Sequence, residues 1–132
     1  FLFATEERLA QCYNKGLGDN QCGKELAYIY KQNAEYDAAE IFLDLMIKGD
    51  TDAARELGLL YIYGKEIPRD CKKGVSILLN SITKEDRKTA VSFLDISNLF
   101  KDGICLEKDE VKAKKYYDIY MNLMKEKLKA KP

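Results

Sequence analysis

The sequence predicts an all-α protein, a short α-α solenoid of about three helix-turn-helix repeats preceded by one N-terminal helix. Three observations predict it. Apolar residues recur at helical spacing along most of the chain. No alternating run is long enough for a strand. Segments of the chain match one another at offsets of 39 and 31 residues.

Each element has its own local signals. The N-terminal helix is expected over approximately 5–15. Thr5 begins it, Glu6 and Glu7 fill its first turn, Leu9, Cys12 and Tyr13 share a face, and Gly16 and Gly18 stop it. A helix over 21–32 buries Leu26, Ile29 and Tyr30. The next, over 36–48, places Ala39, Phe42, Leu43 and Met46 on one stripe. Gly49 ends it, and Asp50 or Thr51 caps a helix over 52–63 that Gly64 stops. Asp70 caps a helix over 71–82, and Asp86 precedes one over 87–101 that Gly103 stops. Asp109 caps the last, over 110–128.

The helices pair into repeats of approximately 20–52, 53–88 and 89–128. Leu57-Gly58-Leu59-Leu60-Tyr61-Ile62-Tyr63-Gly64 matches Ile96-Ser97-Asn98-Leu99-Phe100-Lys101-Asp102-Gly103 at an offset of 39, and Asp70, Lys73 and Gly74 match Asp109, Lys112 and Ala113. Upstream, Glu25-Leu26-Ala27 and Tyr30 match Glu56-Leu57-Gly58 and Tyr61 at an offset of 31. Glu35, Ala39 and Phe42 match Asp70, Gly74 and Ile77 at 35, so the first copy has a loop four residues shorter. Small residues at 27, 58 and 97 let the two helices of a hairpin approach closely. Gly64 and Gly103 supply left-handed stops. A lone hairpin cannot bury both faces, so hairpins stack side by side.

The pattern A-x-x-L-G-x-x-Y-x-x-G, an apolar turn and D-x-x-K-A resembles the Sel-one-like repeat, a relative of the tetratricopeptide repeat. Ala54, Leu57, Gly58, Tyr61, Gly64, Ile67, Asp70, Lys73 and Gly74 carry the best copy, and the likeness covers residues 20–128. The third copy departs from it at Ser97 and Phe93, and the first lacks the glycine turn. The resemblance implies a right-handed α-α superhelix whose first helices line a concave, protein-binding surface. In matched register that surface is expected at Tyr28, Gln32, Leu59, Tyr63, Asn98 and Asp102.

Composition narrows the function. The 132 residues carry 22 basic and 22 acidic side chains and no histidine. Zero formal net charge argues against a nucleic-acid binder. Without histidine there is no Ser-His-Asp or Cys-His catalysis and the commonest metal ligand is missing. The paired acids Glu6-Glu7, Asp50-x-Asp52 and Glu107-x-Asp109-Glu110 sit at helix starts, where carboxylates meet the helix dipole. Gly16-Leu17-Gly18 has no strand before it and no Lys-Ser/Thr after it, so it is not a phosphate loop. The tyrosines at 61, 63, 116, 117 and 120 have core spacing. The reading is therefore not an enzyme, with no metal and no cofactor. No run of 18 apolar residues spans a bilayer.

Charge is uneven along the chain, with 6 basic and 11 acidic side chains in residues 1–60 and 16 and 11 in the rest. The lysines at 125, 127, 129 and 131 form a basic helix end. Cys12, Cys22, Cys71 and Cys105 lack zinc-site spacing. Three full pairings are possible. Cys12–Cys22 would close a short loop, and Cys71–Cys105 would join segments that the repeat places side by side. That pairing implies a periplasmic or secreted protein; four free thiols would imply a cytoplasmic one. The first residue, Phe1, is expected of a fragment or processed product. The partner is expected to be another protein, a secreted toxin or envelope protein. The resemblance, together with the use of such repeats in bacterial immunity proteins against secreted lipases, favours an immunity-type inhibitor. The alternative is a scaffold or adaptor.

Overall fold

The computed structural model describes residues 2–14, 21–82 and 88–129. Among them are seven helices and no strand: α1 (Leu2–Asn14), α2 (Gln21–Lys31), α3 (Glu35–Ile47), α4 (Thr51–Tyr63), α5 (Cys71–Asn80), α6 (Ala90–Asp102) and α7 (Glu110–Lys129). They form an α-α solenoid in which α2/α3, α4/α5 and α6/α7 are the tight hairpins, with α1 packed on α2. The N-terminal helix begins at Leu2, earlier than Thr5. The helix expected from residue 87 begins at Ala90. Asp86, Gly16 and Gly18 lie outside the described residues.

The starts and stops follow local chemistry. Asp50, Asp70 and Asp109 each accept the backbone N–H three residues on, at 3.1, 3.1 and 3.0 Å, satisfying a donor the helix itself leaves free. Gly49 and Gly103 take positive φ, +94° and +67°. Gly64 does not: its φ is −58° and ψ 150°, so the expected left-handed stop is corrected. Glycine is needed there for space, because a Cβ would collide with the Leu60 carbonyl oxygen and stand 2.9 Å from Glu35 Oε2.

Close approach inside the hairpins is direct. A Cβ on Gly58 would stand 2.9 Å from the Gly74 carbonyl oxygen and 2.9 Å from the Leu78 nitrogen, both backbone atoms. The matched pair in the third hairpin is Ser97 and Ala113, where the Ser97 hydroxyl donates to the Ala113 carbonyl at 2.6 Å. The serine that departs from the repeat pattern thus bonds across the same approach. The lysine of the repeat also has a task. Lys73 Nζ lies 4.6 Å from the Tyr61 ring centroid, and Lys112 Nζ 5.5 Å from that of Phe100.

The first hairpin is in register, but one residue away from the match read in the sequence. The turns close by Ala34 N–H to Tyr30 O (2.6 Å), Asp70 N–H to Tyr61 O (3.0 Å) and Asp109 N–H to Phe100 O (2.9 Å). Ala34 therefore takes the place of Asp70, and Ala38 and Phe42 those of Gly74 and Leu78. The offset on the second helices is 36, not 35. Both Ala38 and Phe42 are fully buried.

The slip frees Glu35 from a capping role. Its buried carboxylate reaches the turn of the second hairpin and accepts from the N–H groups of Lys65 (2.9 Å), Glu66 (3.0 Å) and Ile67 (3.3 Å). Burial alone would raise its pKa, but these three donors hold it below the usual glutamate range. In the next repeat the same position is Cys71, paired with Cys105 in the following turn at a Cα–Cα distance of 5.0 Å. The first residue of the second helix thus ties down the next turn twice, by different chemistry.

The core is built of three clusters. Leu26, Phe42, Leu45, Leu57, Leu60 and Ile67 share one cluster across the first two hairpins. Ile62, Leu78, Ile96 and Leu99 join the second to the third. Ala90, Phe93 and Leu123 close the third with Tyr116, Ile119 and Tyr120 around them. Each large apolar side chain so buried contributes about 1.5–3 kcal/mol. Tyr13 fastens α1 by donating to Asp44 at 2.6 Å, and Cys12 pairs with Cys22 on α2, Cα–Cα 5.9 Å.

Candidate partner-binding face

The first helices α2, α4 and α6 carry most of the candidate site. They are linked by ionic contacts that cross the hairpin seams. Lys31 of α2 meets Glu56 of α4 at 2.7 Å. Glu56 also receives Arg55 at 3.2 Å. Arg55 grips Asp95 of α6 as a fork, Nε to Oδ2 at 2.5 Å and Nη2 to Oδ1 at 3.3 Å. Lys24 binds Asp50 and Asp52 at 3.4 and 3.5 Å.

The Glu56 side chain is 7% exposed and that of Asp95 15%, so their lone pairs must be met within the protein. Burial pushes the Asp95 carboxyl up; the Arg55 fork pulls it down and the Glu56 charge pushes it up again, leaving it raised. Burial works against the Arg55 charge, but Asp95 and then Glu56 hold it in place and raise its pKa. One guanidinium thus serves two carboxylates.

Tyr28 and Tyr63 flank this network and remain 43% and 47% exposed. The Tyr28 ring stands edge-on to Phe42 at 5.8 Å, with Lys31 Nζ 5.9 Å from its centroid. Burial first, then the Glu56 and Asp52 charges, raise the Tyr28 hydroxyl's pKa. Burial, Asp95 and Asp102 do the same for Tyr63. Both phenols therefore stay neutral hydrogen-bond donors, on rings partly fixed by packing. Such amphipathic groups anchor protein interfaces at low entropic cost.

The other expected residues divide. Gln32 lies exposed in the turn after α2, and Asp102 is exposed at the end of α6. Leu59 is half-buried and packs into the seam between the second and third hairpins, so it supports the face more than it displays itself. Asn98 is exposed but borders a separate hollow with Leu94, Lys101, Glu110 and Tyr117 at the outer end of the solenoid. The six do not form one cluster.

Sequence reading missed Lys31, Arg55, Glu56 and Asp95. A signal was present: Glu25, Glu56 and Asp95 recur at one register position in all three first helices. Among the described residues, no group of three His, Cys, Asp or Glu side chains is placed to hold a metal, and no helix is long and apolar enough to cross a membrane. Asp50, Asp70 and Asp109 are engaged as caps.

No protein-family model matches the sequence, and no curated protein matches it. Solved structures do. One is a protective antigen present in uropathogenic Escherichia coli strains and displaying an SLR fold; it is 22% identical, with a TM-score of 0.69 over 89% of this chain. The match takes in 25% of that protein, so the chain spans about a quarter of its length. Another is a Sel1 repeat protein from Oxalobacter formigenes, 18% identical, with a TM-score of 0.61 over 92% of this chain and 90% of its own. The chain has an SLR-like fold.

Proposed function

We propose that the chain is a non-catalytic protein-binding module, an immunity-type inhibitor that binds and neutralises a secreted toxic enzyme such as a lipase. The observation that carries the binding role is the pair Tyr28 and Tyr63, half-exposed beside the network Lys31–Glu56–Arg55–Asp95. Charges already paired in the free protein need little reorganisation on binding, which limits the cost of association. The enzyme-inhibitor reading draws support from the lack of a catalytic constellation among the described residues and from the likeness to repeat proteins of bacteria.

The two cysteine pairs support a periplasmic or secreted location. Counting thiols in the denatured, unreduced protein tests this: none is expected, and four assign the chain to a reducing compartment. The function is tested by affinity capture from envelope and culture medium of the source cells, followed by activity assay. A single stoichiometric hydrolase, inhibited by the chain, is the expected result. Several resident envelope proteins at low occupancy, with no inhibition, replace the reading with a scaffold or adaptor.

A further inference from the structure

The outer face of the last hairpin repeats a face that, two hairpins earlier, is covered. On the second helices the offsets are 36 and then 39, hence 75 from the first hairpin to the third; on the first helices they are 31 and 39, hence 70. Glu110 then stands where Glu35 stands, Ala113 where Ala38, Tyr117 where Phe42, Met121 where Met46, and Lys101 where Lys31. In the first hairpin these residues hold the second. Glu35 binds three turn N–H groups, Lys31 binds Glu56, and Phe42 is buried in a cluster shared with Leu57 and Ile67. In the third hairpin the same chemistry faces solvent: Tyr117 is 44% and Met121 37% exposed, and Lys101 and Glu110 are exposed.

The chain does not fold back to cover this face at the matched point. After α3 the backbone turns at Gly49 into α4, whereas the matched residue, Met124, lies inside α7, which runs on to Lys129. A second copy of this chain does not offer the complement either, because its Glu56 and its 65–67 turn are engaged by its own Lys31 and Glu35.

We propose that the outer face of α6/α7 docks an α-α hairpin of another protein, built like the second hairpin here. The partner's first helix would carry a carboxylate to meet Lys101, its turn would present backbone N–H groups to Glu110, and its apolar side chains would cover Tyr117 and Met121. This is a surface separate from the Tyr28–Tyr63 face and does not depend on the inhibitor reading.

The probe is hairpin 50–82 itself, with Cys71→Ser, tethered after Pro132 of residues 1–132 by a Gly/Ser linker of about 20 residues, whose reach is about 25 Å. Tethering supplies millimolar effective concentration. Expected are a rise in helical content and at least tenfold slower amide exchange at residues 113–121. Lys101→Glu should remove that protection, and Glu56→Lys in the appended copy should restore it. An appended segment that stays unfolded with exchange unchanged overturns the proposal, as does protection indifferent to both charge reversals. A parent chain that sediments as a dimer, dissolved by Tyr117→Glu, overturns it in favour of a second copy.

Discussion

The Glu35 carboxylate accepts the Ile67 N–H at 3.3 Å, from a different hairpin and 32 residues away in the chain. With the amides of Lys65 and Glu66, it fixes the turn on which the second hairpin is oriented. Glu35→Ala is expected to cost about 2–4 kcal/mol, since hydrogen bonds to a charged acceptor are worth roughly 1.5–3 kcal/mol each and part of this turn is solvated. Urea denaturation measures it. An unchanged midpoint would show that the turn holds without the carboxylate.

The same group sets an acid limit, and Tyr13 a basic one. Glu35 is depressed by its three N–H donors, and Asp44 by hydrogen bonds from Tyr13 and then Lys48. A depressed acid stabilises the fold fully above its unfolded pKa, about 3.9–4.3, and that stability is lost as pH falls through the folded value. Burial and the Asp44 hydrogen bond push Tyr13 up to about 12. Its contribution is complete below about pH 10 and disappears as pH rises toward 12. Chemical denaturation across pH should therefore show a plateau falling at both ends, with the alkaline fall smaller in Tyr13→Phe, since Tyr28 and Tyr63 are raised as well.

Gly58→Ala places a methyl against two backbone atoms that cannot rotate away. The hairpin must splay, at a cost of about 2–4 kcal/mol, in the range of overpacked cores. Ser97→Ala at the matched position removes only the hydrogen bond to the Ala113 carbonyl and should cost about 1 kcal/mol. Thermal melts of the two variants separate these effects, and equal shifts would show that the approach at Gly58 is no tighter than the one at Ser97.

The two cysteine pairs close loops of different length, with sequence separations of 10 and 34. Loop entropy gives roughly 3 kcal/mol for the first and roughly 4 kcal/mol for the second. Cys71→Ser with Cys105→Ser is thus expected to destabilise the oxidised protein more than Cys12→Ser with Cys22→Ser. The same variants compared in reductant should differ little from the parent.

Arg55→Ala removes the counter-charge from Asp95 in a largely buried position and leaves Glu56 with Lys31 alone. Breaking a buried ion pair from one side costs about 3–5 kcal/mol; partial solvent access at Arg55 reduces the expectation to about 2–3 kcal/mol. Replacing Tyr28 and Tyr63 together with Ala should leave the melting temperature within a few degrees of the parent. The same change should weaken partner binding at least tenfold. Retained affinity in a folded double variant would move the binding site elsewhere.

How much was legible depends on the range of the interaction. Asp50, Asp70 and Asp109 bond N–H groups three residues away, and Gly49 and Gly103 act through their own φ. Such signals lie within one turn of helix, so the sequence determined the helices, their pairing and the small residues at 58, 74 and 113. Tertiary structure alone decided the one-residue register of the first hairpin, where Ala34 has no polar side chain to announce a cap. It alone made Glu35 a clamp across the seam, put Gly64 in an extended conformation, and assembled Lys31, Glu56, Arg55 and Asp95 from three helices. The contacts among them that cross a seam join residues 25–40 apart in the chain. Burial decides which of many possible charge partners meet, and only the packed hairpins determine burial.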